Sequence, residues 1–281
     1  MEHVYEALLR SRNQRSMKIE PDPTDGRILT RKEGAILVIT IDRPAKLNGF
    51  SAVMLDELSE AFTQMENDSA IRCGVLRASG RNFTAGLELG KLVGRFAEGK
   101  SLFPSDKIDP VNLRKLRNKP VVAAVQGICF TLGIELMLAA DMVVAASDCR
   151  FAQLEVQRGI MASAGATIRM AERAGLGNAL RFLLTGDEFD AETALRLGFV
   201  QEIVAPGEEG ARAMALAERI AAQAPLAVAA TLANVRRSVF EGPNEAVAEL
   251  QNLQSRLRTS EDAVEGIRSF VERRPGKFVG R

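Results

Sequence analysis

Four short apolar runs, Ala35–Asp42, Cys73–Ala78, Val121–Val125 and Met142–Ala146, punctuate residues 35–146 of this 281-residue chain. Each is strand-length and rich in Val, Ile or Ala, which predicts buried strands. Asp42-Arg43-Pro44 ends the first, because Pro44 cannot donate to a ladder. Between them lie segments with a different period. Val53, Met54, Leu58, Ala61, Phe62 and Met65 recur at helical spacing over 52–66, after Ser51 as N-cap. A shorter apolar helix is expected from about Gly133 to Ala139. Strands alternating with helices predict an α/β layered core.

From about residue 206 the pattern becomes helical throughout. Residues 208–223, 226–239, 244–257 and 260–273 carry helical apolar spacing, with Pro225 and Gly242-Pro243 separating the first three. A tail of ~75 residues is small for independent stability. It is expected to pack on the core, on a neighbouring subunit, or both. At the other end, residues 1–33 read as a polar arm containing Pro21 and Pro23. The expected division is an arm at 1–29, a core domain at 30–205 and a helical region at 206–281.

Residues 91–118, with Pro104 and Pro110, read as a mobile excursion followed by a short helix. Within them Gly94–Ser101 matches G-x-x-x-x-G-K-[ST], a phosphate-cradling pattern that needs a strand before it and a helix after it. Glu88, Gly90 and Lys91 interrupt the would-be strand, and Pro104 follows almost at once. The segment therefore reads as a solvated excursion.

The single histidine, His3, falls in the arm, and Tyr5 is the only tyrosine. That excludes Ser-His-Asp and Cys-His nucleophile systems and a histidine-based zinc site. Acid–base chemistry is left to carboxylates, Lys, Cys or Tyr. With 37 Lys+Arg against 36 Asp+Glu, no basic excess points to nucleic acid. No apolar run reaches the roughly 18 residues of a membrane span. Cys73, Cys129 and Cys149 form no CxxC pair and sit beside apolar stretches, as small reduced core residues do. Reduced cysteines and the lack of a recognisable leader predict a cytoplasmic location. Arg10, Arg12, Arg15 and Lys18 hint at a transit peptide, against which Glu2 and Glu6 weigh.

Three segments carry candidate chemistry: Asn82–Leu89, Gln126–Leu136 and Phe151–Ile160. The first two place small residues and a glycine just past a strand, where backbone N–H groups can hold an anion. Glu135 stands near the start of an apolar helix, among Ile134, Leu136, Met137 and Leu138. Glu155 follows a strand. Two carboxylates in different environments suit acid–base work. Taken singly, Glu135 also fits a helix N-terminal charge and Glu155 a solvated loop charge.

Together these segments resemble the crotonase (enoyl-CoA hydratase/isomerase) family over about residues 30–280. Ile39–Ser51 looks like the family's first strand and CoA-contacting loop, which carries over to Ala45, Lys46, Leu47 and Gly49. Phe83–Leu89 looks like its first oxyanion segment, with Ala85 beside the substrate and Leu87 as backbone donor. Gly127–Glu135 looks like the second, with Leu132 as donor and Glu135 as catalytic acid. Cys149–Thr167 resembles the segment bearing the second carboxylate, Glu155. Lys277 and Phe278 are further CoA-contact candidates. The resemblance implies a spiral of ββα units with an α-helical C-terminal oligomerisation region, assembled as a homotrimer or dimer of trimers. It implies an acyl-CoA thioester substrate, no separate cofactor and no metal. The 91–118 excursion is then expected to line the acyl pocket.

Two carboxylates favour addition of water to a 2-enoyl-CoA. An enoyl-CoA isomerase, another lyase or hydrolase of the family, and a non-catalytic binding protein are the alternatives. Some positions depart from the family pattern. Thr131-Leu132-Gly133 replaces a triple glycine, Leu154 a proline, and Ala162-Ser163 a Pro-Gly, while Gln157 and Arg158 stand where apolar residues are usual.

Overall fold

The structure, a computed structural model, describes residues 25–281; the readings made on His3, Tyr5 and the rest of residues 1–24 lie outside it. The chain begins with a hairpin of β1 (Arg27–Glu33) and β2 (Ile36–Asp42), which turns at Gly34 with φ +58°. β3 (Cys73–Ala78), β4 (Val121–Val125), β6 (Met142–Ala146) and β9 (Glu202–Val204) complete a six-stranded sheet ordered β1-β2-β3-β4-β6-β9. Every pairing after β1–β2 is parallel. The four strands expected from sequence all form.

β1 corrects the reading of residues 1–33 as an arm. Its residues, Arg-Ile-Leu-Thr-Arg-Lys-Glu, are mostly exposed, so no apolar alternation announces an edge strand held by its ladder to β2.

The period-two alternation of the central strands sorts their side chains onto two faces. Val38, Val75, Val122, Ala124 and Val144 point to one core. There α7 (Glu209–Ala221) presents Ala213, Ala217 and Ala221, an every-fourth-residue stripe that lets the helix approach the sheet closely. Leu37, Ile39, Leu76, Ala123, Val125 and Val143 point to the other, larger core. It is filled from α1 (Ala52–Asn67) and α3 (Leu132–Ala139). The Ser51 hydroxyl accepts the Met54 N–H at 3.3 Å, the expected cap of α1.

A second layer of short rungs lies past the strand ends. β5 (Ile128–Phe130), β7 (Arg150–Ala152) and β8 (Phe189–Asp190) form a small sheet, and bridges at Phe50–Leu87 and Thr84–Cys129 extend it. The chain thus climbs as a spiral in which each turn adds one strand to each layer.

α2 (Leu89–Ala97) opens the 91–118 excursion, and residues 98–120 contain no helix. The helix expected after the excursion therefore stands at its start, ahead of Pro104. The Gly94–Ser101 motif straddles the end of α2, whose free backbone groups are carbonyls rather than N–H groups, the wrong polarity for phosphate. Lys100 there pairs with Glu98 at 2.7 Å. α4 (Ala166–Ala174), α5 (Leu176–Thr185) and α6 (Ala191–Arg196) precede β9. After α7 come α8 (Pro225–Phe240), α9 (Pro243–Arg258) and α10 (Glu261–Val271).

Candidate active site

The segment after β3 is held by its own backbone until one donor is left. Ala85 N–H donates to Leu47 O at 2.9 Å, Gly86 N–H to the Thr84 hydroxyl at 2.9 Å, and Glu88 N–H to Phe50 O at 3.0 Å. The Leu87 N–H between them meets no acceptor among the described residues. Gly86 has φ +98°, a conformation that side chains resist.

The segment after β4 behaves alike. Thr131 N–H donates to Ala152 O at 2.9 Å, while Ile134 and Glu135 N–H donate to Thr131 O. Leu132 N–H opens α3 without an acceptor among the described residues, as first-turn donors do.

Glu135 completes the first turn of α3 and is only 3% exposed. Its Oε1 accepts Ala164 N–H at 2.7 Å and Ala166 N–H at 3.2 Å. Burial pushes its pKa from 4.5 to about 7; the two N–H bonds oppose the shift, and the charge of Glu155 adds to it. Glu155 begins a short 3-10 turn, Glu155–Arg158, after β7. Burial raises its pKa too. Its Oε1 lies 3.5 Å from Gln153 Nε2, and its buried Oε2 has no partner. A buried oxygen without a donor is costly unless something else supplies one.

Leu87, Leu132, Glu135 and Glu155 line one cavity of about 220 Å³. The structure thus brings together the four residues on which the sequence placed the chemistry. Leu102, Phe103, Asp109, Val111, Leu113 and Arg114 form much of the remaining wall, so the excursion does line it. Asp109 and Arg114 were not singled out from sequence. The Asp-Pro-Val-Asn turn signal at 109–112 was the available cue.

The loop at 43–49 is bonded to the segment that carries Leu87, through Ala85 N–H on Leu47 O. Ala45, Lys46 and Leu47 are exposed and Gly49 is buried. The loop is fixed from beneath. Asn48, fully buried, donates to Ser79 O at 2.8 Å and Asn82 O at 2.7 Å. The buried Arg43 guanidinium donates to Gly49 O and pairs with Glu88. Lys277 and Phe278 lie elsewhere. Arg72, at the entry of β3, donates to Phe278 O at 2.5 Å and Ala221 O at 3.1 Å, whereas the cavity follows the exits of β3 and β4. Within one chain these two residues do not join the 45–49 loop.

The cysteines take no part. All three are buried, and burial pushes the Cys73 and Cys149 thiols up to about 12 and the Cys129 thiol well above its usual range.

Known proteins are similar to this chain in sequence and fold. The family model described as enoyl-CoA hydratase/isomerase matches residues 31–281. An enoyl-CoA hydratase of Mycobacterium tuberculosis is 31% identical over 258 residues, covering 90% of this chain and 96% of that protein. A carnitinyl-CoA dehydratase of Escherichia coli is 36% identical over 265 residues, covering 90% and 98%. The crystal structure of a probable enoyl-CoA hydratase/isomerase from Mycobacterium abscessus superposes with a TM-score of 0.87 at 47% identity, covering 90% of this chain and 98% of the other.

Proposed function

The chain belongs to the enoyl-CoA hydratase/isomerase family, the crotonase superfamily, and is one of its enzymes; on that footing we propose that it adds water to the C2–C3 double bond of a 2-enoyl-CoA. The observation that carries this reading is the pair of carboxyl groups, Glu135 and Glu155, raised in pKa beside one cavity with two unclaimed N–H groups.

In the proposed reaction the thioester oxygen accepts the Leu87 and Leu132 N–H groups. Water attacks C3, and the electron pair of the double bond moves through C2 onto that oxygen. Such preset donors are worth about 3 kcal/mol each where charge develops, and being main-chain groups they tolerate leucine side chains. One glutamate, ionised, takes the proton released by water. The other, protonated, delivers one to C2. Glu135 with a pKa of about 7 and a neighbouring charge that disfavours double ionisation suits a pair sharing one proton near neutrality. Removal of water is the same path reversed. A double-bond shift would need only one of the two carboxylates.

The exposed 45–47 loop would take the CoA moiety, Lys46 facing its phosphates. Lys277 and Phe278 could reach CoA only from a second copy, in keeping with a homotrimer or dimer of trimers. No cofactor enters the scheme, and activity should survive exhaustive chelation. Among the described residues no helix is long and apolar enough to cross a membrane. A cytoplasmic location is part of the same reading.

The test is release of 3-hydroxyacyl-CoA from a panel of 2-enoyl-CoA esters. Hydration by the wild-type protein and its loss in Glu135→Ala and Glu155→Ala support the proposal. Binding of the esters without hydration of any sinks it, and a positional double-bond shift that persists in Glu135→Ala reassigns the enzyme to isomerisation.

A further inference from the structure

The cavity is small. At about 220 Å³ it falls below the roughly 300–1,000 Å³ of sites that hold a drug-sized ligand, so it suits a short acyl chain rather than a long one. Its wall is otherwise largely apolar, and its charged members are Asp109, Arg114, Glu135 and Glu155. Three have their work assigned. Asp109 is 5% exposed, and its two oxygens accept the N–H groups of Val111, Leu113 and Arg114, each at 3.1 Å. The two glutamates are claimed by the proposed chemistry. Arg114 is left: its guanidinium makes no ion pair or hydrogen bond with the described residues.

Arg114 is not on a loose loop. Asp109 N–H donates to Lys115 O at 2.9 Å, closing residues 109–115 into a turn. From below, Arg169, 5% exposed, donates to Val111 O at 2.7 Å and Asn112 O at 3.1 Å. The Arg117 N–H donates to Asn112 Oδ1 at 3.0 Å. The turn is tied to α4 and the 163–166 segment that holds Glu135, whereas the 45–49 loop is tied to 84–88 on the Leu87 side. Arg114, an exposed residue at the rim of the cavity, is thus anchored to its Glu135 side, and the loop assigned to CoA to its Leu87 side.

We infer that Arg114 is a specificity-determining residue that recognises a carboxylate at the far end of a short acyl chain, so that the preferred substrates are CoA thioesters of unsaturated dicarboxylic acids. A guanidinium presents paired donors matched to a carboxylate, and a chain ending in a cation is repelled from it. This inference rests on the hydratase reading for its reaction but not for its ligand.

The experiment compares two six-carbon 2-enoyl-CoA esters, one ending in a carboxylate and one in a methyl group. The wild-type kcat/KM should favour the carboxylate ester by about tenfold, equivalent to roughly 1.4 kcal/mol. Arg114→Met should abolish that preference while leaving the methyl ester within about twofold, and Arg114→Glu should invert it. Binding of the two saturated analogues, hexanoyl-CoA and its ω-carboxylate counterpart, is measured in parallel by calorimetry. If no ester is hydrated yet the carboxylated analogue binds better in an Arg114-dependent way, the hydratase reading fails and the inference stands. Equal kcat/KM and equal affinity in the wild type overturn it. So does an equal loss for both esters in Arg114→Met, which would place the guanidinium on the CoA phosphates.

Discussion

Gly86 lies so close to Thr131 that a β-carbon built on it would stand 1.8 Å from the threonine Oγ1. The two segments bearing the free N–H groups of Leu87 and Leu132 are thus pressed together at one point, with no room for a methyl group.

Gly86→Ala should therefore move one donor relative to the other. The φ of +98° adds strain to the clash. Loss of one oxyanion donor costs about 10²–10³ in kcat, and a drop of that order is expected with KM changed much less. Thr131→Gly in the Gly86→Ala background should recover part of it. Steady-state kinetics on the single and double variants decide this; full activity in Gly86→Ala removes the oxyanion role.

Glu135→Gln should lose activity and gain stability. The folded protein holds the Glu135 proton up to about pH 7, against an ordinary value of 4.5. The folded state therefore binds more protons than the unfolded one across that interval, so stability falls as pH rises from about 4.5 to 7 and is level above. Glutamine keeps an acceptor for Ala164 and Ala166 and cannot ionise. At pH 8 the variant should be more stable by on the order of 2 kcal/mol, seen as a rise of several degrees in Tm. Its kcat should fall by about 10²–10⁴. A variant less stable than wild type at pH 8 contradicts this.

Glu155→Gln should reduce kcat by a similar factor of about 10²–10⁴ with a smaller stability gain, because Glu155 is only partly buried. The wild-type profile of kcat/KM should be bell-shaped, declining on the alkaline side as the pair gives up its last proton. The Glu155→Gln profile should keep a single limb. A flat wild-type profile between pH 5 and 9 is the contrary result.

Asp141→Ala should be among the most damaging changes outside the cavity. Asp141 accepts from Arg117 and Arg236, both at 2.8 Å, and from Val121 N–H at 2.8 Å. Arg117 is 1% exposed, so the variant leaves a guanidinium buried beside another cation. Breaking such a buried pair costs about 3–5 kcal/mol. Urea denaturation should show the midpoint falling with the slope unchanged.

Phe270→Glu should disperse an oligomer. Val264, Ile267, Phe270 and Val271 lie along α10 and are 65%, 71%, 84% and 75% exposed, an apolar stripe of the kind that marks an interface. Light scattering should report a trimeric or hexameric mass for the wild type and a smaller one for the variant. A monomeric wild type rejects the assembly.

The central strands were legible because burial on both faces leaves little but Val, Ile, Leu and Ala, with Pro44 and Gly80 as stops. Glu135 was legible as a carboxylate inside Ile-Glu-Leu-Met-Leu. β1 was not, because an exposed edge is held by backbone bonds that leave no side-chain signature. Nor was the 109–115 turn: its anchor, Arg169, is 58 residues from Val111. Lys277 and Phe278 came by resemblance alone, which says nothing about which copy of the chain a residue serves.

Arg72 joins the entry of β3 to the carbonyl of Phe278, 206 positions later. That bond fastens the last turn of the spiral to one of the first. Contacts of such long sequence separation form slowly. Until it closes, the Ala213–Ala221 stripe is held on the sheet without its far fastening. Loss of the Arg72 guanidinium should therefore shorten the protein's life in the cell more than it harms the chemistry of any molecule that has already folded.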